Sequence, residues 1–338
     1  MATAAHDRAS GSLYGLAFGD ALGAPTEFMP YERIVEVYGP GGPRELVGEP
    51  ARVTDDTQMA LAFASALYAA ALEEWPLSPE RLAAQTREAF VRWAVSPDNN
   101  RAPGMTCLRA CGGLAEGLRW QDATVKDSKG CGANMRVTPV GLAPGLADAD
   151  RAGAAQLQAA LTHGHATGLA ASELTAFAVW WLREGIRPAD LPAALRERAA
   201  SQREVYHERW LGDLWRRPGV TDPVGYIARG WDECLATLDR LDAALAAPDR
   251  AADPCLATGA GWVAEEALAT ALYCFLLYPD EPVTAIARGA ASSGDSDSIA
   301  CLAGAFAGAA HGMAAWPAGW VARIEYGDRL ARYGAAWD

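Results

Sequence analysis

Apolar residues recur at intervals of three and four along most of the chain, the spacing of one face of an α-helix. Leu13, Leu16 and Ala17, followed by Asp20, mark a first helix rich in glycine. Met59, Phe63, Leu67 and Ala70 mark a second. The same period predicts helices over 80–95, 105–118, 150–162, 167–184, 188–200, 223–247, 264–277 and 297–313. Alternating strand patterns are rare and β-branched residues are few. The pattern therefore predicts an all-α fold, a compact multi-helix domain rather than an up-and-down four-helix bundle.

Punctuation between these segments is short. Tyr38-Gly39-Pro40-Gly41-Gly42-Pro43, the stretch from Ser96 to Gly104, and the stretch from Asp127 to Pro139 read as loops. None is long enough for an inter-domain linker, and no fixed-period repeat is present. A single domain over 8–338 is expected, with 1–7 as a flexible N-terminus. The polar, aromatic stretch 202–222, with Tyr206, Trp210, Trp215 and Arg217, reads equally as a surface helix or a lid. From Ser298 onward, Ala300, Gly304, Ala307/Gly308 and His311 give a narrow small-residue face. Each glycine inside a helix costs about 1 kcal/mol relative to alanine, so several on one face predict a close helix–helix approach.

The 338 residues are 51% hydrophobic, enough for a large core, and the formal net charge is −13. Such an acidic surface disfavours nucleic acid and anionic membranes. Seven cysteines at 107, 111, 131, 234, 255, 274 and 301 show neither a CxxC pair nor Cys/His zinc spacing, and read as buried thiols in a reducing compartment. No apolar signal core opens the chain and no run of 18 apolar residues occurs, so a cytoplasmic protein, monomeric or weakly oligomeric, is expected.

Two oxygen-rich clusters stand out against this background. Thr54-Asp55-Asp56-Thr57 directly precedes the second helix, and Gly294-Asp295-Ser296-Asp297-Ser298 precedes the helix at 297–313. Thr or Asp at such a position is an ordinary N-cap, and acids in a first turn complement the helix dipole. Taken together the clusters allow a second reading. If the two helix starts face each other, about four carboxylates converge, and like charges that close raise one another's pKa unless cations offset them. Two hard divalent cations about 3.5–4 Å apart would do so and could activate a water. Without His or Cys in either cluster, Mg²⁺ or Mn²⁺ fits better than a softer metal. The Gly130-Cys131-Gly132 turn is either a plain tight turn or a loop whose amides hold phosphate oxygens. His163 and His165 stand at a helix end, where capping is the ordinary role. Trp262 to Glu266 read as core followed by a solvated helix start.

Gly19-Asp20-Ala21-Leu22-Gly23 with Glu27, then Thr54-Asp55-Asp56-Thr57, then Gly130-Cys131-Gly132 with Met135-Arg136, then Gly294-Asp295-Ser296-Asp297-Ser298, occur in an order that resembles the ADP-ribosylglycohydrolase family. The resemblance runs from about residue 8 to about residue 315. It implies an all-α orthogonal fold, a two-magnesium centre (manganese in some members) and an ADP-ribosylated substrate. By similarity Thr54, Asp55 and Asp56 form the first metal-ligand motif, and Asp295, Asp297 and Ser298 the second. Glu27 matches the acidic residue of a flexible loop beside the metals. Ser128, Gly130, Cys131 and Gly132 match the loop that holds the diphosphate, followed by Met135. His163 matches a histidine lining the ADP-ribose cleft. Asp98 lies where some bacterial members place a catalytic aspartate in a Pro-x-Asp-Ile-Gly context, although here the run is Pro97-Asp98-Asn99-Asn100-Arg101. Ser298 stands where Thr is common, Cys131 where Asn is common, and Met105 where a polar residue is common.

The resemblance implies hydrolysis at the anomeric carbon of an ADP-ribosyl group through an oxocarbenium-like transition state. Glu27 or a ligand aspartate such as Asp56 is the expected general base. The alternative is a catalytically silent ADP-ribose-binding or crystallin-like relative. An all-α prenyl-transfer enzyme ranks last, because Met59 occupies the place of the third aspartate in Asp-Asp-x-x-Asp.

Overall fold

Helix starts are written locally in the sequence and the structure follows them. The computed structural model describes residues 6–338, and the N-terminal expectation for residues 1–5 lies outside these. Among the described residues there are eighteen α-helices, three short 3₁₀ turns and only isolated β-bridges, so the all-α expectation holds. The helices of nine or more residues are α1 (Arg8–Gly23), α2 (Asp55–Glu73), α3 (Pro79–Ala94), α4 (Met105–Ala115), α5 (Asp148–Ala160) and α6 (Ala166–Arg183). They continue as α7 (Leu191–Gln202), α8 (Pro223–Ala246), α9 (Ala264–Leu277), α10 (Pro282–Ala290), α11 (Ser296–His311) and α12 (Gly327–Trp337). Ser78 caps α3 by accepting from the Arg81 amide, and Asp222 caps α8 by accepting from the Gly225 amide, each followed by proline at the first helical position.

α1 and α11 form the centre. Nearly every residue of both is buried, and they run antiparallel with their backbones in contact. The small-residue face expected on α11 is present, and it meets a matching ladder on α1. A Cβ placed on Gly15 would lie 2.2 Å from the Gly304 carbonyl oxygen, and one on Gly304 would lie 1.9 Å from that of Gly15. The same holds at Gly19 against Ala300 and at Gly308 against Gly11, at 2.0 Å each. His311 turns off the seam to the Pro279 carbonyl (2.6 Å), and Gly312 takes the seam position instead. At its other end the seam brings Gly23 against Asp297, so it reaches the acidic residues.

The remaining helices surround this pair, and one continuous apolar cluster runs from Ala9 to Trp337. The segment 202–222 proves to be neither a surface helix nor a lid. Beyond Gln202, the last residue of α7, only Glu208–Leu211 is helical, Trp210 packs against Gly153 of α5, and Arg217 donates to the carbonyls of Lys126 and Gly164 (2.5 Å each). It braces the loops that flank Ser128 and His163. All seven cysteines are free thiols and all but Cys255 are buried. No helix among the described residues is long and apolar enough to cross a membrane.

Candidate metal centre and cleft

Thr54 caps α2 as the local sequence predicts: its backbone is extended and its hydroxyl accepts from the Asp56 amide (3.3 Å). The cap is shared with Asp20 of α1. That fully buried carboxylate accepts from the amides of Thr54 (2.9 and 3.0 Å) and Thr57 (3.0 Å) and from the Thr57 hydroxyl (2.5 Å). Asp20 thus satisfies N-terminal donors that would otherwise be orphaned, and ties the start of α2 to the central seam. On the other side the Gly104 amide donates to Asp55 (3.2 Å). The two acidic clusters meet directly, since the Ser298 hydroxyl donates to Asp56 (2.7 Å) across the gap between α11 and α2. Carboxylate oxygens of Glu27, Asp295 and Asp297 lie within 4.8 Å of one another.

The electrostatics follow from that crowding. Burial first, and then the charge of Asp297, push Asp20 and Asp55 up to about 7 and Glu27 up to about 8. The same causes push Asp56 and Asp295 well above the usual carboxylate range, and burial raises Asp297 too. Gathered carboxylates without a counter-charge are costly. An all-oxygen donor set of two acidic helix starts plus a hydroxyl is what a hard divalent cation takes, so these residues fit such ions.

The acids form the floor of a cleft of about 350 Å³. Its walls include Gly130, Cys131, Gly132, Met135 and His163. Gly132 is required by close approach: a Cβ there would lie 2.9 Å from both Cys107 Sγ and His163 Cε1. The Cys131 amide donates to the Trp262 carbonyl (3.1 Å) and the Ala264 amide to the Lys129 carbonyl (2.9 Å), pinning the glycine turn to the start of α9. Lys129 itself pairs with Glu233 (2.6 Å) and with Glu265. Glu265 is buried, which corrects the expectation of a solvated helix start there. Trp262 is not core either. It is 43% exposed at the rim, where it stacks on Phe28 (centroids 5.5 Å apart, planes at 16°) beside Glu27. Met105 stands at the same mouth, 77% exposed.

A sequence model of the ADP-ribosylglycohydrolase family matches residues 1–337. The chain belongs to the ADP-ribosylglycohydrolase family. Among curated relatives, the ADP-ribosyl-[dinitrogen reductase] glycohydrolase of Rhodospirillum rubrum is 35% identical over 47% of this chain and 52% of its own length. An uncharacterized protein of Archaeoglobus fulgidus is 35% identical over 38% of this chain and 41% of its own length. The chain thus spans about half or less of these two relatives. The mouse ADP-ribosylhydrolase ARH3 is 27% identical over 94% of this chain and 87% of its own. A solved structure described as an ADP-ribosylglycohydrolase-related protein complex shares the fold, with a TM-score of 0.69 at 23% identity over 99% of this chain and 98% of that one.

Within the cleft the structure brings together Glu27, Asp55, Asp56, Asp295, Asp297 and Ser298 on one side, and the glycine turn, Met135 and His163 on the other. Thr54 stands behind them as the cap. Ser128 lies beside the glycine turn, with its hydroxyl 3.1 Å from that of Thr106. Asp98 is not brought in. It lines a neighbouring cavity of about 250 Å³ with Gln58, Trp93 and Tyr326, and its carboxylate accepts from the Tyr326 hydroxyl (3.3 Å). The cause is Arg101, which pairs with Glu325 (2.8 Å) and donates to the Val53 carbonyl. That clamp holds the first half of the Ser96–Gly104 loop against the C-terminal segment, while Ala102, Pro103 and Gly104 line the cleft and the Gly104 amide reaches Asp55. Of the two histidines, His165 is the cap, accepting from the Thr167 amide (3.2 Å) at the start of α6. Residues that single-sequence reading overlooked as site supports are Asp20, Arg101, Glu325 and Thr162. Gly11, Gly15, Gly19 and Gly23, four apart, signal the seam; nothing local signals Glu325, which acts from far along the chain.

Proposed function

We propose that this protein hydrolyses the glycosidic bond between ADP-ribose and an acceptor, releasing ADP-ribose, with two magnesium ions (manganese as the alternative) as cofactor. The observation that carries this reading is the convergence of five carboxylates from three chain segments on one cleft, Glu27, Asp55, Asp56, Asp295 and Asp297, in a member of this family. Thr54, Asp55, Asp56, Asp295, Asp297 and Ser298 would hold the ions. When bound, divalent ions supply Lewis-acid polarisation and lower the pKa of a water.

The chain's own residues do the rest. Glu27 is the general base, because it is half-buried at the mouth, whereas Asp56 is tied to Ser298 and Thr54. Water adds at the anomeric carbon as the bond to the acceptor breaks. The water's proton passes to Glu27 and on to the departing acceptor atom. The glycine turn and His163 bind the diphosphate opposite the acids, which fixes the ribose over the floor.

The test is to incubate the protein with Mg²⁺ and a panel of substrates ADP-ribosylated on arginine, serine and other acceptors, and to measure free ADP-ribose. Release is expected from at least one substrate and should stop on addition of EDTA. Asp55→Ala and Asp297→Ala should each abolish release while the far-ultraviolet circular dichroism stays helical. Retained activity in either variant would sink the assigned roles. Tight ADP-ribose binding without release from any substrate would favour the catalytically silent reading.

A further inference from the structure

The hydrogen bonds behind His163 determine which of its ring nitrogens carries the proton. Arg136 is fully buried and donates to the Gln158 side chain (2.9 Å), to the Gln158 carbonyl (2.9 Å) and to the Thr162 hydroxyl (2.6 Å). A guanidinium only donates, so the Thr162 oxygen must accept that bond and send its own hydrogen elsewhere. Two acceptors are within reach: His163 Nδ1 at 2.7 Å and the Ala159 carbonyl at 3.4 Å. That carbonyl already accepts the amides of Thr162 (3.1 Å) and His163 (2.8 Å), which occupies its two lone pairs. The hydroxyl hydrogen therefore goes to Nδ1, and Nδ1 is an acceptor. The ring's own hydrogen is left on Nε2.

Charge points the same way. Burial and the Arg136 guanidinium hold the imidazole well below its usual pKa, so the ring is neutral and has one N–H to place. Placing it on Nε2 turns the ring dipole away from the guanidinium. Nε2 borders the cleft at the glycine turn, where a Cβ on Gly130 or Gly132 would lie 3.3 Å from it.

We propose that Arg136 and Thr162 are positioning residues that lock His163 as the Nε2–H tautomer, so that the ring offers a hydrogen-bond donor to an anionic oxygen bound at the Gly130–Gly132 turn. Only the identity of that oxygen, a diphosphate oxygen, rests on the function proposed above. The tautomer stands on the local bonding alone.

The test uses the full chain labelled with ¹⁵N-histidine and long-range ¹H–¹⁵N correlation spectra, with the His163 signals assigned by their loss in His163→Gln. The expected pattern is an unprotonated Nδ1 and a protonated Nε2. Thr162→Ser should keep that pattern and hold ADP-ribose affinity within about twofold. Thr162→Val removes the donor to Nδ1, so the ring should shift toward the other tautomer and calorimetry should give ADP-ribose binding about tenfold weaker. An Nδ1–H pattern in the wild type overturns the proposal, and this reading stands even if Thr162→Val fails to fold. A Thr162→Val protein that keeps both the Nε2–H pattern and the affinity overturns it too. A wild type with the Nε2–H pattern that does not bind ADP-ribose overturns the proposed function and supports the tautomer assignment.

Discussion

Asp297 is the residue on which the acidic group turns. Its charge raises the pKa of Asp20, Glu27, Asp55, Asp56 and Asp295, from five positions on three segments. Its backbone is fixed where α11 meets Gly23 of α1, so it cannot move away from them. Replacing Asp297 with Asn keeps the size and removes the repulsion. The metal-free variant should therefore be more stable than the wild type, by on the order of 1 kcal/mol for each unit of pKa relief. Chemical denaturation in EDTA measures this, and a destabilised variant would argue against charge crowding at this site. In the same variant the upward shift in melting temperature on adding Mg²⁺ should be lost, because binding to the folded state alone is what produces such a shift.

At the scale of elements the α1–α11 seam couples the packing of the core to the placement of the acidic residues. Glycines at 11, 15, 19 and 23 face Gly312, Gly304, Ala300 and Asp297 in turn, closely enough that one added methyl group meets backbone. Backbone cannot swing aside as a side chain can, so Gly304→Ala must spread the two helices. Overpacking of this kind costs about 1–3 kcal/mol, and a Cβ only 1.9 Å from the Gly15 carbonyl oxygen puts this variant at the upper end. Urea denaturation should show the loss. Because the same seam sets Asp297 against Gly23, Mg²⁺ binding by calorimetry should weaken as well. An alanine at exposed Gly117, where nothing lies within 4 Å of a Cβ but φ is +92°, should cost stability through the backbone alone and leave the Mg²⁺ affinity unchanged.

For the molecule as a whole, the raised carboxylates couple folding to pH. The unfolded chain ionises its acids near 4, while the folded, metal-free protein keeps protons on Asp20 and Asp55 up to about 7 and on Glu27 up to about 8. Between those limits the folded state binds more protons than the unfolded one, so stability falls as the pH rises. Stability present below the unfolded carboxylate range is lost as the pH climbs through about 7 to 8. The net charge of −13 adds general self-repulsion in the same direction. Melting curves in EDTA from pH 5 to pH 8 should show a steadily falling midpoint, and Mg²⁺ should flatten that slope. A midpoint that rises across the range would contradict the raised pKa values.

The helices were legible because a period of three to four apolar residues, with Ser, Thr or Asp before it and proline just inside, is local chemistry that needs no partner. Segment 264–277 matches α9 end to end, and 223–247 matches α8 to within one residue. The short helices Tyr31–Tyr38 and Pro282–Ala290 and the terminal α12 escaped, since two to three turns carry too few apolar repeats to register. Segment 105–118 overran because its pattern outlasts the helix, which ends at Ala115 before the left-handed Gly117. By itself the chain also determined which residue types could hold a hard cation, because adjacent Asp, Thr and Ser oxygens are chemistry written in order. Only the tertiary structure decided that the two acidic helix starts face each other through Ser298 and Asp56, and that Asp98 turns away under the pull of Arg101 and Glu325. It alone decided that the Thr162 hydroxyl is left with His163 as its acceptor. Each of these depends on a partner distant in sequence or on the saturation of a neighbouring oxygen. Spacing along a chain carries no record of either.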